Sequence, residues 1–588
     1  MPKDPDEPRH PRRDRDAWKN GWSDRRVLDP EKAVIPTIKA MPTAYVGVHL
    51  TVARSQARGH DGKREPHYVR VVRRLVKAAE ELNWTATPWE DERTKGLDWG
   101  LIIIDIEGKA GEEQPDAWRV LQKARALLEE AKQGDGADPL WSDHDGNPLG
   151  GACLNHFVSP VAPRGFRPNT TFYEPNTTFY EPNTTFYEPN TTFYEPNGTG
   201  ASGVASYLSI GSGGRQPVAY AGPEPVRRSD RDYEPTEGEP DSARRRPVVA
   251  MLDTGVWARH PWFRRQGDDP VVRTDVEVST PILDEHDKVV ETRMMKIGDP
   301  SISGPDWQDA DDDGPFDGAL NGIAGHATFV AGLIHQRCPE AVIYSWRVVP
   351  PDGEMEEKEL LIALAQILHL VKTGTPIDVL NLSLSYYHET STDHDASGDT
   401  ALIDQALREV LHLITAQGVT VVCSAGNDAT SRPAYPAAFG PWIGRKMTKE
   451  ERRRAPIVSV GSSNPGGRAD ALFSNVGRWV RHYEQGAVVI STFPKVQGGY
   501  QPIARDVVDV AGTRRRRSSM DPDDFRSGFA IWSGTSFAAP ITAGKVAAAL
   551  HGAGGFGPGE QPTYEDAWTA VERVTELKQD DVEAKSPR

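Results

Sequence analysis

One stretch constrains the fold more than any other: SGTSFAAP at 533–540, followed by the small-residue run 541–550. A Gly-Thr-Ser turn that opens directly into an alanine-rich helix places Ser536 at a helix N-terminus. Unpaired backbone N–H groups and the positive end of the helix dipole favour developing negative charge there. Pro540 lies in the first turn, where its missing N–H costs little. A lone serine in this setting is usually an N-cap, so its role depends on partners elsewhere.

A serine nucleophile requires a base, and the base requires an acid to orient it. Residues 248–256 (VVAMLDTGV) predict a buried strand that ends in an acid and a glycine turn, which makes Asp253 the candidate acid. Residues 322–334 (GIAGHATFVAGLI) predict a tightly packed helix that starts at His326, the candidate base. Taken singly, the acid is explained as a strand-end cap and the histidine as an ordinary helix-start residue.

A third segment, 419–428 (VTVVCSAGND), predicts a β-branched strand that runs into Asn427. The side-chain amide of an asparagine in this place can donate a hydrogen bond to an oxyanion. Alone, the residue is a turn former. Its occurrence together with the candidate acid, base and serine points to acyl transfer.

In their order along the chain, Asp253, His326, Asn427 and Ser536 and the motifs around them resemble those of the subtilisin-like serine proteases. The resemblance covers about residues 247–552, roughly half of the chain. It implies a doubly wound parallel α/β sheet and a serine endopeptidase that acts on protein or peptide substrates without a required cofactor. Smaller matches are a substrate-binding strand and the loop after the oxyanion asparagine, at 379–385 and 435–438.

The resemblance also implies a role for each matched residue. Ser536 would attack the peptide carbonyl and form an acyl-enzyme, His326 would accept and pass on its proton, and Asp253 would orient the imidazole. Asn427 and the backbone N–H of Ser536 would bind the oxyanion. The implied substrate-binding residues are Ser383, Leu384, Ser385, Ser424, Ala425 and Gly426.

Three positions depart from the family pattern. Ala327 and Phe329 replace a glycine and a histidine that usually follow the catalytic histidine, and Ser385 stands where glycine is common. We expect the first two changes to be tolerated and Ser385 to narrow the first specificity pocket. The alternative is a catalytically weak protease-fold scaffold or binding protein whose N-terminal domain is the recognition module.

The catalytic half alternates strands and helices, as a parallel sheet requires. The predicted strands are 247–252, 342–349, 377–384, 419–424, 456–461 and 487–491, and the predicted helices are 326–336, 356–371, 402–416 and one opening at Ser536. Three insertions, 268–320, 440–455 and 495–527, interrupt this core. The first contains Asp309, Asp311 and Asp313, which match the opening of a calcium loop, but Leu320 stands where the closing glutamate belongs. The site is therefore either a structural Ca²⁺ site or a solvated acidic loop.

The 588 residues leave room for two to four domains. We expect a disordered arm at 1–40, a small α/β domain at 41–160, a flexible linker at 161–246 and a C-terminal tail with a short helix at 553–588. The small domain would contain strands 44–52, 99–106 and 155–159 and helices 68–82 and 118–131. The family resemblance implies that this domain is an inhibitory propeptide. The sequence agrees nearly as well with a sensor or partner-docking domain.

The linker contains four perfect heptads of sequence PNTTFYE, beginning at Pro168. A proline in each heptad excludes a coiled coil, which favours an extended tether. The repeated Phe-Tyr pairs are alternatively sites of self-cleavage or partner docking.

Composition excludes other classes. The net charge of −17 disfavours nucleic-acid binding, and no apolar run has the length of a membrane span. The charged N-terminus lacks the apolar core of a signal peptide, so we expect a cytoplasmic protein. Three cysteines are too few for a disulfide framework.

Overall fold

The computed structural model describes residues 24–28, 41–55, 65–109, 113–133, 140–141, 147–160, 215–239, 242–264, 270–283, 288–298, 320, 322–350, 353–389, 405–497, 502, 505–552 and 555–579. The four heptads and the calcium-loop candidates Asp309, Asp311 and Asp313 lie outside these residues. Within the described ranges, no helix has the length and apolar character needed to cross a membrane.

The N-terminal domain is an antiparallel sheet covered on one face by two helices. Its elements are β1 Arg25–Val27, β2 Ala44–Ser55, α1 His67–Glu80, β3 Thr85–Glu90, β4 Trp99–Glu107, α2 Ala117–Gln133 and β5 Ala152–Val158. The strand order is β5-β2-β4-β3, and β1 pairs with β2. Val71, Leu75 and Ala78 recur at helical spacing on α1 and are buried against the sheet.

Two strands of this domain differ from the sequence-based expectation. Residues 24–28 were assigned to a disordered arm, but Arg25–Val27 pairs with β2 and Arg25 forms an ion pair with Glu354 at 2.6 Å. These contacts are tertiary, so local composition does not reveal them. β3 was missed because it contains Pro88, which an edge strand tolerates.

The remaining elements form the catalytic domain. They are β6 Gln216–Pro217, β7 Val248–Asp253, β8 Val272–Arg273, β9 Glu277–Leu283, β10 Val289–Lys296, α3 His326–Arg337, β11 Val342–Arg347, β12 Met355–Glu356, α4 Glu357–Lys372, β13 Val379–Leu382, α5 Gln405–Thr415, β14 Thr420–Ser424, β15 Ile457–Ser463, β16 His482–Gln485, β17 Val489–Thr492, β18 Arg505–Val510, β19 Thr513–Ser518, β20 Phe529–Trp532, α6 Thr535–Gly552 and α7 Tyr564–Val574.

Seven of these strands form a parallel sheet in the order β16-β15-β14-β13-β7-β11-β8. Strands β7, β13 and β14 are buried along their whole length, as expected for a parallel sheet covered on both faces. The fold is therefore the predicted subtilisin-like α/β architecture. Two insertions form antiparallel ribbons, β9 with β10 and β18 with β19.

The end of the predicted linker is packed against the catalytic domain rather than extended. β6 pairs with β20, and Arg246 forms ion pairs with Asp230 and Glu340. Arg245 pairs with the buried Asp378 at 2.6 Å. The expectation of a flexible linker missed these contacts because the acidic partners Glu340 and Asp378 are distant in sequence.

The two domains share a continuous interface. β12 pairs antiparallel with β5 and extends the N-terminal sheet. The sheet face opposite α1 and α2 contributes Trp99 and Leu101 to the same apolar cluster as Leu361 of α4. Arg93 bridges the domains through Glu359 at 2.6 Å.

The C-terminal helix α7 belongs to the catalytic domain rather than to a tail. Thr563 and Asp566 form a reciprocal capping box at its start. Trp568 and Val571 are buried in the same cluster as Leu550 of α6.

Candidate active site

The candidate acid and base are in direct contact. Asp253 is the last residue of β7, so its carboxylate lies at the carboxyl end of a central parallel strand. His326 is the first residue of α3, and its Nδ1 lies 2.7 Å from Asp253 Oδ1. The same oxygen accepts a 2.7 Å hydrogen bond from the N–H of Thr254. Both side chains are buried. The carboxylate thus selects the tautomer with a proton on Nδ1 and leaves Nε2 free to act as a base.

The start of α3 depends on a glycine. Gly325 is the N-cap residue and has a φ of 80°. A Cβ atom added there would lie 2.4 Å from the Phe493 ring. Any side chain would therefore displace either the aromatic ring or the histidine that follows.

The two residues that depart from the family pattern are accommodated in the packing. The N–H of Ala327 donates a 3.0 Å hydrogen bond to Thr254 Oγ1. The Phe329 ring packs against Phe537, with ring centroids 4.7 Å apart, and against Trp532. Phe329 thus fills the space behind the base, and neither residue separates His326 from Asp253.

Ser536 is the second residue of α6 and is buried. Its Oγ lies 3.4 Å from the carbonyl oxygen of Pro160 and 3.5 Å from that of Ser383. Within the described residues His326 Nε2 makes no hydrogen bond, so the serine and the histidine are not bonded. Such bonds are often long or absent without substrate.

Asn427 is held against the turn that carries the serine. Its Oδ1 accepts hydrogen bonds from the N–H and Oγ1–H of Thr535, at 2.8 and 2.9 Å. Because both bonds use the carbonyl oxygen, the side-chain NH₂ remains available to donate. Thr535 Oγ1 also accepts from the N–H of Gly426 at 3.1 Å, which ties the oxyanion loop to the start of α6.

The predicted substrate strand is occupied by the N-terminal domain. The N–H of Ser385 donates to Ser159 O at 2.9 Å, and the N–H of Ser159 donates to Ser385 O at 3.1 Å. Leu384 is buried, and Ser383 Oγ donates to the carbonyl of Ser536 at 2.9 Å. The cleft edge is therefore already paired with a strand-like segment.

The other predicted cleft segment makes its backbone contacts within the domain. Ser424 pairs with β15, and the N–H of Ala425 donates to Val460 O at 2.9 Å. Gly426 has a φ of 99°, and its carbonyl accepts from the N–H of Asn475. A Cβ atom at Gly426 would lie 3.6 Å from Ser385 Oγ, so the two predicted cleft walls face each other.

Asn475 organises this wall and was missed by the sequence analysis. Its Nδ2 donates to Ala425 O and to the hydroxyl of Tyr387, both at 2.8 Å, and its Oδ1 accepts from the N–H of Asp428. The Tyr387 hydroxyl donates in turn to Asp428 Oδ2 at 2.6 Å. Burial raises the pKa of both Tyr387 and Asp428. A lone asparagine in a loop has no distinctive sequence signal.

An acid, a histidine, an asparagine and a serine at the carboxyl edge of a parallel sheet define a serine hydrolase class of site. The model of the subtilase family matches residues 244–570, more than half of the chain, and the chain belongs to this family. It is a serine-type endopeptidase, and its family implies protein or peptide substrates. The match reaches into α7, beyond the domain end predicted at residue 552.

Solved structures give related matches, whereas no curated protein matches the chain. A lanthipeptide protease is 20% identical over 55% of this chain and 77% of its own, with a TM-score of 0.32. A cold-adapted subtilisin-like serine proteinase is 19% identical over 58% and 86%, with a TM-score of 0.33. Fervidolysin from Fervidobacterium pennivorans, a keratinolytic enzyme related to subtilisin, is 17% identical over 90% and 61%, with a TM-score of 0.39.

Proposed function

We propose that the chain hydrolyses peptide bonds through an acyl-enzyme formed on Ser536. The observation that carries this proposal is the 2.7 Å contact between Asp253 Oδ1 and His326 Nδ1, with Ser536 at the start of the adjacent helix. This contact supplies an oriented base, without which a serine hydroxyl is a weak nucleophile at neutral pH.

In the proposed reaction, Ser536 Oγ attacks the substrate carbonyl while His326 Nε2 takes the hydroxyl proton. The tetrahedral oxyanion is stabilised by the Asn427 NH₂ and by the N–H of Ser536 at the positive end of α6. His326 then gives the proton to the leaving amine, which departs with the C-terminal part of the substrate. A water molecule, activated by the same histidine, hydrolyses the ester and restores the serine.

We further propose that the N-terminal domain inhibits the enzyme. Ser159 occupies the backbone groups of Ser385 that a substrate would use, and the carbonyl of Pro160 lies 3.4 Å from Ser536 Oγ. This placement favours inhibition over a separate sensing role, and it predicts self-cleavage close to residue 160. The heptads lie after this point, so cleavage within them remains a second proposal.

A fluorophosphonate probe tests the first proposal, since it labels only an activated serine. We expect labelling of the wild-type chain and none of Ser536→Ala; no labelling of either chain, before or after cleavage near residue 160, would favour the inert scaffold. Intact-mass analysis after incubation tests the proposal that the N-terminal domain is removed by self-cleavage near residue 160. Fragments that end near residue 160 in the wild type only would support self-processing, and an uncleaved wild type that is labelled would contradict it.

A further inference from the structure

A cluster of histidine and glutamate side chains lies at the domain interface and includes none of the proposed catalytic residues. His156 comes from β5 of the N-terminal domain, and Glu357 is the first residue of α4. His388 and Glu389 follow the substrate strand in the catalytic domain. At most 2% of any of these four residues is exposed.

Both nitrogens of the His156 ring face a carboxylate. Nδ1 lies 2.5 Å from Glu357 Oε2, and Nε2 lies 2.8 Å from Glu389 Oε2. The neutral ring has one N–H, so one nitrogen would point its lone pair at a carboxylate oxygen. A second proton on the ring would satisfy both carboxylates, and a metal ion bound to Nε2 and to Glu389 would do the same.

A second imidazole converges on the same oxygen. His388 Nε2 lies 3.5 Å from Glu389 Oε2. One ligand atom from each of His156, His388 and Glu389 lies within 4.8 Å of the other two. A metal ion could take one ligand atom from each of these three residues.

We propose that His156, His388 and Glu389 bind a divalent transition-metal ion of the zinc type, with Glu357 orienting His156. Two imidazoles and a carboxylate are a ligand set that zinc accepts. With metal–ligand distances of about 2.0–2.1 Å and tetrahedral angles, the ligand atoms around zinc lie about 3.3 Å apart. Metal binding would therefore open the 2.8 Å contact between His156 Nε2 and Glu389 Oε2 and bring together ligand atoms that now lie up to 4.8 Å apart. Glu357 accepts the Nδ1 proton and leaves Nε2 as the ligand, a common arrangement around metal-bound histidine.

The contacts around the cluster hold the ligands in place. An Arg432 N–H donates to the His388 carbonyl at 2.7 Å. The His156 ring packs against Tyr386, with centroids 4.7 Å apart. The metal would join His156, three residues before Ser159, to His388, three residues after Ser385. It would therefore fasten the N-terminal domain to the cleft edge.

The competing occupant is a proton. Burial alone would lower the pKa of His156, but the charges and hydrogen bonds of Glu357 and Glu389 outweigh it and raise this pKa to about 10. Metal binding must displace that proton, so the measurement compares metal content directly at pH 8.

The test uses the full-length Ser536→Ala chain, which stays intact and separates metal binding from catalysis. The protein is incubated with excess Zn²⁺, passed through a desalting column and analysed for metal. We expect about one Zn²⁺ per chain, and at least a tenfold lower content when His388→Gln is added. The matched control adds His412→Gln, a histidine on α5 that contacts Arg454 outside the cluster, and should retain the metal.

Co²⁺ gives a second readout that does not depend on stability. Bound to His156, His388 and Glu389, it should show visible d–d absorption that is lost in His388→Gln and kept in His412→Gln. Circular dichroism checks that both variants are folded; if His388→Gln does not fold, His388→Asn replaces it. Absence of stoichiometric Zn²⁺ and Co²⁺ in the parent chain, or their retention when His388 is replaced, would overturn the proposal and leave a proton as the occupant.

Discussion

Ser159 and Ser385 exchange two backbone hydrogen bonds, of 2.9 and 3.1 Å, across the edge of the candidate cleft. This pairing joins the residue that follows β5 of the N-terminal domain to the strand proposed to bind substrate. Since β-strand addition obtains affinity from backbone hydrogen bonds, the proposed function expects the domain and a substrate to compete for the same groups.

Ser159→Pro should weaken this competition. Proline removes the N–H that donates to Ser385 O, and loss of a hydrogen bond of about 1 kcal/mol corresponds to roughly fivefold weaker inhibition. The initial rate of peptide hydrolysis should rise relative to the wild type. Ser159→Ala is the control because it keeps both backbone bonds and loses only the hydroxyl contact to the Gly353 carbonyl. Equal rates for the Pro and Ala variants would argue against competition by backbone pairing.

Asn427→Ala should lower kcat about 10²–10³-fold, the usual cost of losing one oxyanion donor. KM should change little because the amide is needed mainly in the transition state. Steady-state kinetics of the chain freed from its N-terminal domain provide the measurement.

Thr535→Val tests how far the Thr535 hydroxyl helps to position the Asn427 side chain. It removes the hydroxyl that donates to Asn427 Oδ1 but leaves the backbone N–H donor to that oxygen in place. We expect a smaller loss of kcat than in Asn427→Ala. A loss confined to KM in Asn427→Ala would instead assign this residue to substrate binding.

The sequence predicts the catalytic sheet well because its signals are local. Continuous apolar runs mark β7 and β14, and the small residues after Ser536 mark α6. The acid and base could be named from motifs, but their 2.7 Å contact joins residues 73 positions apart and required the fold.

Features that depend on distant partners were not predictable. Asn475 contacts residues of other loops, and Arg246 is buried in ion pairs with Asp230 and Glu340, which are distant in sequence. His156 meets Glu357 across 201 residues and two domains. Polar clusters of this kind lack the periodicity that identifies helices and strands.

Gly325→Ala should reduce both stability and activity. A side chain at a φ of 80° costs about 1 kcal/mol in backbone strain, and its Cβ would also meet the Phe493 ring at 2.4 Å. Relief of that clash moves His326, so kcat should fall further than the strain alone explains.

Gly374→Ala separates the two effects. Its φ is 100°, but among the described residues, its two chain neighbours apart, no atom lies within 4 Å of the added Cβ. We expect Gly374→Ala to lower the thermal stability by about the amount that backbone strain costs in Gly325→Ala, and to leave kcat unchanged. If the two variants lose kcat equally, the Phe493 contact does not position the base.

Acid should destabilise the catalytic domain through His335 on the buried side of α3. Burial, reinforced by the positive charge of Arg227, lowers the pKa of His335 to about 3, although the Glu340 carboxylate opposes this shift. The unfolded chain therefore binds more protons than the folded chain between pH 6.5 and about 3, so stability falls as the pH falls through this window. The slope is about 1.4 kcal/mol per pH unit, which amounts to about 2 kcal/mol between pH 7 and pH 5.

His335→Leu removes the titrating group and should reduce the pH dependence of urea unfolding by this amount, with little change at pH 7. Neither ring nitrogen has a hydrogen-bond partner among the described residues, so leucine sacrifices no such bond there. An unchanged difference between the unfolding free energies at pH 7 and pH 5 would show that His335 does not control acid stability.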